Sequence, residues 1–252
     1  MYKEDFVKKR FVSVVLTGLL ASGTALAAGK IHWGYSGHEG PEHWGELAPE
    51  YSLCATGKNQ SPINITGAVD GMLPELKFDY KFGGNHVINN GHSIQVNFAA
   101  GNTITVGDRT FELKQVHFHS PSENTINGKS FPIEAHFVHA DKNGNLAVVA
   151  VMYEAGAANA ELDKAWKFMP QQGGATHDLP NAVNAQTMLP TNHAYYRFNG
   201  SLTTPPCSEG VSWFVLKAAD TASQAQIDKF ADTMHHANNR PVQPINARIV
   251  VQ

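Results

Sequence analysis

The chain has 252 residues, 42% of them apolar and 16% charged, with a net charge of −3. That length supports one well-buried domain. The near-neutral balance gives no electrostatic footprint for nucleic acid or for an acidic partner.

The first element in chain order is a leader. Lys8-Lys9-Arg10 is a basic cluster, Phe11 to Leu20 an apolar run too short to span a bilayer comfortably, and Ala25-Leu26-Ala27 a small-residue cleavage pattern. This predicts a signal peptide over residues 1–27, export to the periplasm or the medium, and a single domain over residues 28–252. No later stretch is long enough for a membrane helix, so no membrane contact is expected after cleavage. In an oxidising compartment the two cysteines, Cys54 and Cys207, can form a disulfide. Such a bridge would close a long loop and contribute about 4–5 kcal/mol on a chain-entropy account. Two separate buried thiols fit the same sequence. Zinc ligation by cysteine is disfavoured, since neither lies in a C-x-x-C pair.

The middle of the chain alternates apolar and polar residues: Ile94, Val96 and Phe98; Thr103 to Val106; Phe111, Leu113 and Gln115. Gly-Asn, Asn-Gly and Gly-Asp pairs punctuate these runs as turns. Strands are predicted from Phe111 to His119 and across Glu134 to Val138, with a buried strand from Leu146 to Tyr153. Lys142-Asn143-Gly144-Asn145 is read as the hairpin turn before it. Ser223 and Gln226 form a capping box ahead of a helix with Ile227, Phe230, Ala231 and Met234 on one face, and Asn159 caps a shorter one holding Leu162 and Trp166. The expected fold is mainly β: a large, mostly antiparallel twisted sheet with a few short surface helices.

Thirteen histidines are present, but a count is not a site. His32, His38, His177, His235 and His236 are expected to be solvated surface groups. His117 and His119 differ, because side chains at i and i+2 of a strand point to one face, and Gln115 shares it. Glu134, His136 and Val138 repeat the parity. Three histidines from two strands are the ligand set of a catalytic zinc that keeps a fourth position for water. Taken alone, His-x-His also fits chance packing on a strand.

Eight blocks occur in order: Gly40 to Trp44, Asn59 to Asn64, Asn90-Gly91-His92, Gln115 to His119, Pro121-Ser122-Glu123, Glu134 to His139, Ser201 to Pro206, and Arg240 to Pro244. Together they resemble the α-class carbonic anhydrases, the secreted bacterial branch in particular, from Trp33 to the C-terminus. The resemblance implies reversible hydration of CO2 to bicarbonate and a proton, by attack of a zinc-held hydroxide. It assigns Zn2+ to His117, His119 and His136. Gln115 is paired with His117, Glu134 with His136, and the backbone carbonyl of Asn238 with His119. Thr203 would accept from the hydroxide and donate to Glu123, and His92 would shuttle protons. Val138, Val148, Leu202, Thr204, Val211 and Trp213 would wall the substrate pocket. Ser61-Pro62 and Pro205-Pro206 would be cis, and a Cys54–Cys207 bridge would tether the Thr203 loop. Gln95 departs from the Asn that many relatives carry. The secreted relatives often pair, so a homodimer is among the expected partners. A catalytically silent binding module of the same fold is the alternative; such proteins lose a zinc histidine, and this chain keeps all three.

Overall fold

Runs rich in Val, Ile, Phe and Thr build thirteen strands among residues 31–252, the part of the chain that the computed structural model describes. The expected leader lies outside those residues. In order the strands are β1 (Asn64–Ile65), β2 (Leu76–Asp79), β3 (Gly84–Asn89), β4 (Ile94–Asn97), β5 (Thr103–Val106), β6 (Arg109–His119), β7 (Thr125–Ile126), β8 (Ile133–Ala140), β9 (Leu146–Ala155), β10 (Thr176–Val183), β11 (Tyr195–Ser201), β12 (Glu209–Leu216) and β13 (Asp220–Ala222). Helices are few and short: α1 (Trp44–Leu47), α2 (Leu53–Thr56), α3 (Ala160–Lys167) and α4 (Gln224–Met234). Eleven strands share one sheet, whose main path runs β10-β3-β4-β6-β8-β9-β12-β11.

The central strands are buried on both faces, and parity separates two cores. Val116, Phe118, Ala135, Phe137, Val149, Val151 and Phe214 belong to the larger cluster. Val148, Ala150, Met152, Val211, Trp213 and Val215 belong to a second cluster on the opposite face. Helices α3 and α4 cover the first face. Asn159 accepts from the backbone N–H groups of Glu161 and Leu162, and the Ser223–Gln226 capping box opens α4. The Trp166 ring lies 4.7 Å from Phe118 and 5.5 Å from Phe230. Each fully buried side chain of this kind contributes about 1.5–3 kcal/mol.

Two features depart from simple alternation. β12 runs parallel to β9, with Trp213 opposite Val148, and β13 is also parallel to β9. The long excursion through α3, β10 and β11 supplies the crossover that a parallel pair requires. The β6–β8 register also shifts between Leu113 and Gln115. Phe111 and Leu113 therefore face the larger core, whereas Gln115 joins the opposite face. The uniform alternation Phe111-Leu113-Gln115 expected from sequence is broken by this bulge, which re-aims the second half of β6.

Candidate metal centre

Register brings the histidines together. His117 lies directly opposite His136 across β6 and β8, and His119 opposite Glu134. Opposed residues share a face, so the three imidazoles converge. One ring nitrogen from each lies within 4.8 Å of the others. His119 and His136 are buried and His117 is half-buried.

Each ring is held by its remaining nitrogen. His117 Nδ1–H donates to Gln115 Oε1 at 2.9 Å, His119 Nδ1–H to the Asn238 carbonyl at 2.7 Å, and His136 Nε2–H to Glu134 Oε1 at 2.9 Å. These bonds fix the tautomers and leave lone pairs on His117 Nε2, His119 Nε2 and His136 Nδ1. His119 Nε2 is buried without a partner, an atom that a metal would satisfy. Burial lowers the pKa of all three, and the neighbouring imidazoles push His117 and His136 further down. The rings are neutral at physiological pH, the form that binds metal. Three neutral imidazoles with locked tautomers fit Zn2+.

Two buried carboxylates stand behind the centre. Glu134 accepts from the backbone N–H groups of Glu123 (2.7 Å) and Asn124 (2.8 Å) and from Asn124 Nδ2 (2.7 Å), besides His136. Glu123 Oε1 accepts from the Arg240 backbone N–H at 2.8 Å. Burial raises the Glu123 pKa well above the usual carboxylate range, while the Arg240 N–H and the adjacent Thr203 hydroxyl work against that rise. Glu123 Oε2 has no partner within strict hydrogen-bond geometry, so the Thr203 contact is a loose one.

The Thr203 loop is fastened at both ends. Ser61 N–H donates to Ser201 Oγ and Ser201 N–H to Ser61 Oγ, Trp213 Nε1 donates to the Ser201 carbonyl, and Leu202 N–H to the Ser208 carbonyl. Gly200 permits this approach: a Cβ there would sit 2.1 Å from Ser61 Oγ. Cys54 and Cys207 are joined, with Cα atoms 5.0 Å apart, and Gln60 Nε2 donates to the Cys207 carbonyl. Ser61-Pro62 and Pro205-Pro206 are cis, as is Ser120-Pro121, which had no expectation attached.

Val148, Val211 and Trp213 are buried, with Val138 and Leu202 packed against their cluster. Thr204 is half-buried beside Thr203. The Trp213 ring lies 4.9 Å from His136. His92 stacks on Trp33 with ring centroids 3.7 Å apart. Burial lowers its pKa, with smaller contributions from the charges of His32 and His236. Gln95 lies opposite His117, its amide bonded to Asn90 and Asn97.

Sequence reading missed three supports. Asn124 holds Glu134 from two atoms, Trp33 positions His92, and the buried Arg240 guanidinium donates to Gln60 Oε1 and to the carbonyls of Ser61 and Cys54. Of these, only Arg240 lay in a recognised block, and no local pattern there announces its partners.

Known proteins converge on the same answer. The profile of the family described as eukaryotic-type carbonic anhydrase matches residues 39–252. The carbonic anhydrase of Neisseria gonorrhoeae is 53% identical over 244 residues, covering 96% of each chain. That of Pectobacterium carotovorum is 51% identical over 90% of this chain and 93% of its own. The solved α-carbonic anhydrase of Thermovibrio ammonificans, in complex with the inhibitor sulfanilamide, superposes with a TM-score of 0.87 at 50% identity, over 89% of this chain and all of that one. With the three-histidine centre in place, the chain belongs to the α-type carbonic anhydrase family.

Proposed function

We propose that this protein is a zinc-dependent, exported carbonic anhydrase whose work is done by the residues grouped around His117, His119 and His136. Reversible hydration of CO2 is its activity, and the carbonic anhydrases that it matches at about half identity over nearly full length support that assignment. The single observation that carries the metal reading is the set of three buried or half-buried imidazoles, each with one nitrogen locked and one free. When bound, zinc lowers the pKa of a coordinated water to about 7 and so makes a nucleophile available at neutral pH; the protein family is itself the standard case for that magnitude.

The chain's own side chains do the rest. Gln115, Glu134 and the Asn238 carbonyl keep the ligand rings in the metal-binding tautomer. Thr203 Oγ1, its own hydroxyl directed at Glu123, would accept a hydrogen bond from the O–H of the nucleophile and so turn that oxygen's lone pair toward the substrate. Val138, Val148, Leu202, Val211 and Trp213, with Thr204 at the loop, offer an apolar wall suited to a neutral, weakly solvated gas. His92 carries the released proton outward, since an imidazole exchanges protons near neutral pH. Export to the periplasm is supported by the leader pattern of residues 1–27 and by the bridge between the two cysteines.

A His119→Ala variant tests the metal reading. It is expected to lose most bound zinc and nearly all CO2 hydration while keeping its sheet. Full zinc occupancy with unchanged hydration would sink the assignment.

A further inference from the structure

Two imidazoles, not one, flank the aromatic wall beside the centre. The Tyr35 ring lies 6.5 Å from the His92 ring and 5.9 Å from that of His236. Tyr35 Oη is buried without a hydrogen-bond partner. Asn238, whose carbonyl holds His119, also donates from Nδ2 to the His92 carbonyl at 3.0 Å. The segment carrying His236 is thereby pinned beside residue 92 and beside the candidate zinc ligands. His236 itself is exposed. Its Nδ1–H donates to the Ala237 carbonyl at 3.0 Å, which leaves the Nε2 lone pair free to accept a proton.

We propose that His236 is a second proton-relay group at the rim of the site, exporting protons in parallel with His92. This rests on the catalytic reading above. The step moves a proton alone: it leaves water at the centre, passes through intervening water to His236 Nε2, forms an imidazolium, and departs to a buffer base. No covalent bond to carbon and no electron transfer is involved.

The surroundings suit the role. Tyr35 faces His236 from the N-terminal segment, His92 in the β3–β4 turn lies close enough to feel its charge, and Asp232 and His235 stand on its own segment. Ser120, Pro121, Asp232, His235 and His236 border a solvent-open depression of about 540 Å3, in which buffer can reach the His236 ring. The charge of His236 helps to lower the pKa of His92, after the larger effect of burial. The two rings therefore sense each other, and a proton on one hastens its departure from the other.

The test compares wild type, His236→Asn, His92→Ala and the double variant by stopped-flow CO2 hydration in weak buffer. The double variant should show kcat several-fold below His92→Ala, with kcat/KM unchanged throughout, and imidazole buffer should bring the two to the same kcat. A second readout needs neither metal nor turnover. In metal-free protein, NMR titration of the ring Cε1–H signals should show the His92 midpoint rising in His236→Asn, because a neighbouring positive charge has gone. If the double variant turns over as fast as His92→Ala, or if the His92 midpoint ignores the substitution, the proposal falls. If His92→Ala alone keeps full kcat in weak buffer, it is the underlying role of His92 that fails.

Discussion

Glu134 carries more of the centre than its place behind the His136 ring suggests. It is fully buried and takes four donors; burial raises its pKa, and the Asn124 side chain, the charge of His119 and the two backbone N–H groups offset only part of that rise. Glu134→Gln keeps the shape but replaces an accepting oxygen with a donating amide. Each oxygen takes two of the four donors, so the amide nitrogen sets two donors against a donor: either His136 and Asn124 Nδ2, or the two backbone N–H groups that hold the side chain against His136. Zinc affinity is expected to fall about 10–100-fold, as for other outer partners of metal ligands. Competition with a chromophoric chelator measures it, and wild-type affinity in the variant would contradict the role. The residues that hold the rings were unevenly visible beforehand. Gln115 and Glu134 sit two positions from their histidines, so strand parity alone nominated them. Asn238 lies 119 residues from His119, and only the family resemblance pointed to it. Asn124, Trp33 and Arg240 act through contacts that no local spacing encodes.

At the scale of elements, β6 and β8 decide the geometry. Period-two spacing was enough to place His117 and His119 on one face, because parity depends on the strand itself. The bulge at Lys114 was harder to see: its trace is the switch from Phe111 and Leu113 to Val116 and Phe118 as the larger core's residues. The parallel partners of β9 were not visible at all, since pairing across a long crossover leaves no mark on either strand. His139, on the far face of β8, gives this pair of strands a pH dependence. It is buried, bonded to the Tyr80 hydroxyl at 2.7 Å, and burial lowers its pKa to about 3. The unfolded chain binds a proton there near pH 6.5 and the folded one only near pH 3. The stability that goes with the neutral ring is thus present above about pH 6.5 and lost as pH falls toward 3, by about 1.4 kcal/mol per pH unit. Urea unfolding of wild type and His139→Asn between pH 4 and 7 should show a shallower slope in the variant, and identical slopes would refute this. The disulfide is the other element-scale device. It spans 153 residues and ties α2 to the chain just beyond Thr203. Cys54→Ala/Cys207→Ala is expected to lose about 2–5 kcal/mol of stability, read from denaturant midpoints, with kcat/KM falling as the Thr203 loop loosens. Unchanged midpoints would show that the loop's hydrogen bonds suffice alone.

Across the whole molecule, one sheet presents two faces with separate tasks. The face under α3 and α4 is apolar core, with the buried His139–Tyr80 pair set into it. The other carries the three imidazoles at its centre, the cluster around Trp213 to one side, and the Trp33–Tyr35–Trp44 group with the disulfide at its edge. The fold class followed from alternation and turns, and the family from eight ordered blocks. How β9 and β12 bring Trp213 against the histidines of β6 and β8 had to come from the structure. The central claim is that the three-histidine face hydrates CO2 through a bound zinc. The most direct measurement is stopped-flow CO2 hydration of the purified protein, as isolated, after dialysis against a strong chelator, and after zinc is restored. Hydration far above the buffer rate, abolished by the chelator and recovered with one zinc per chain, is the predicted result. Hydration that persists in fully metal-free protein, or none in zinc-loaded protein, would contradict the account.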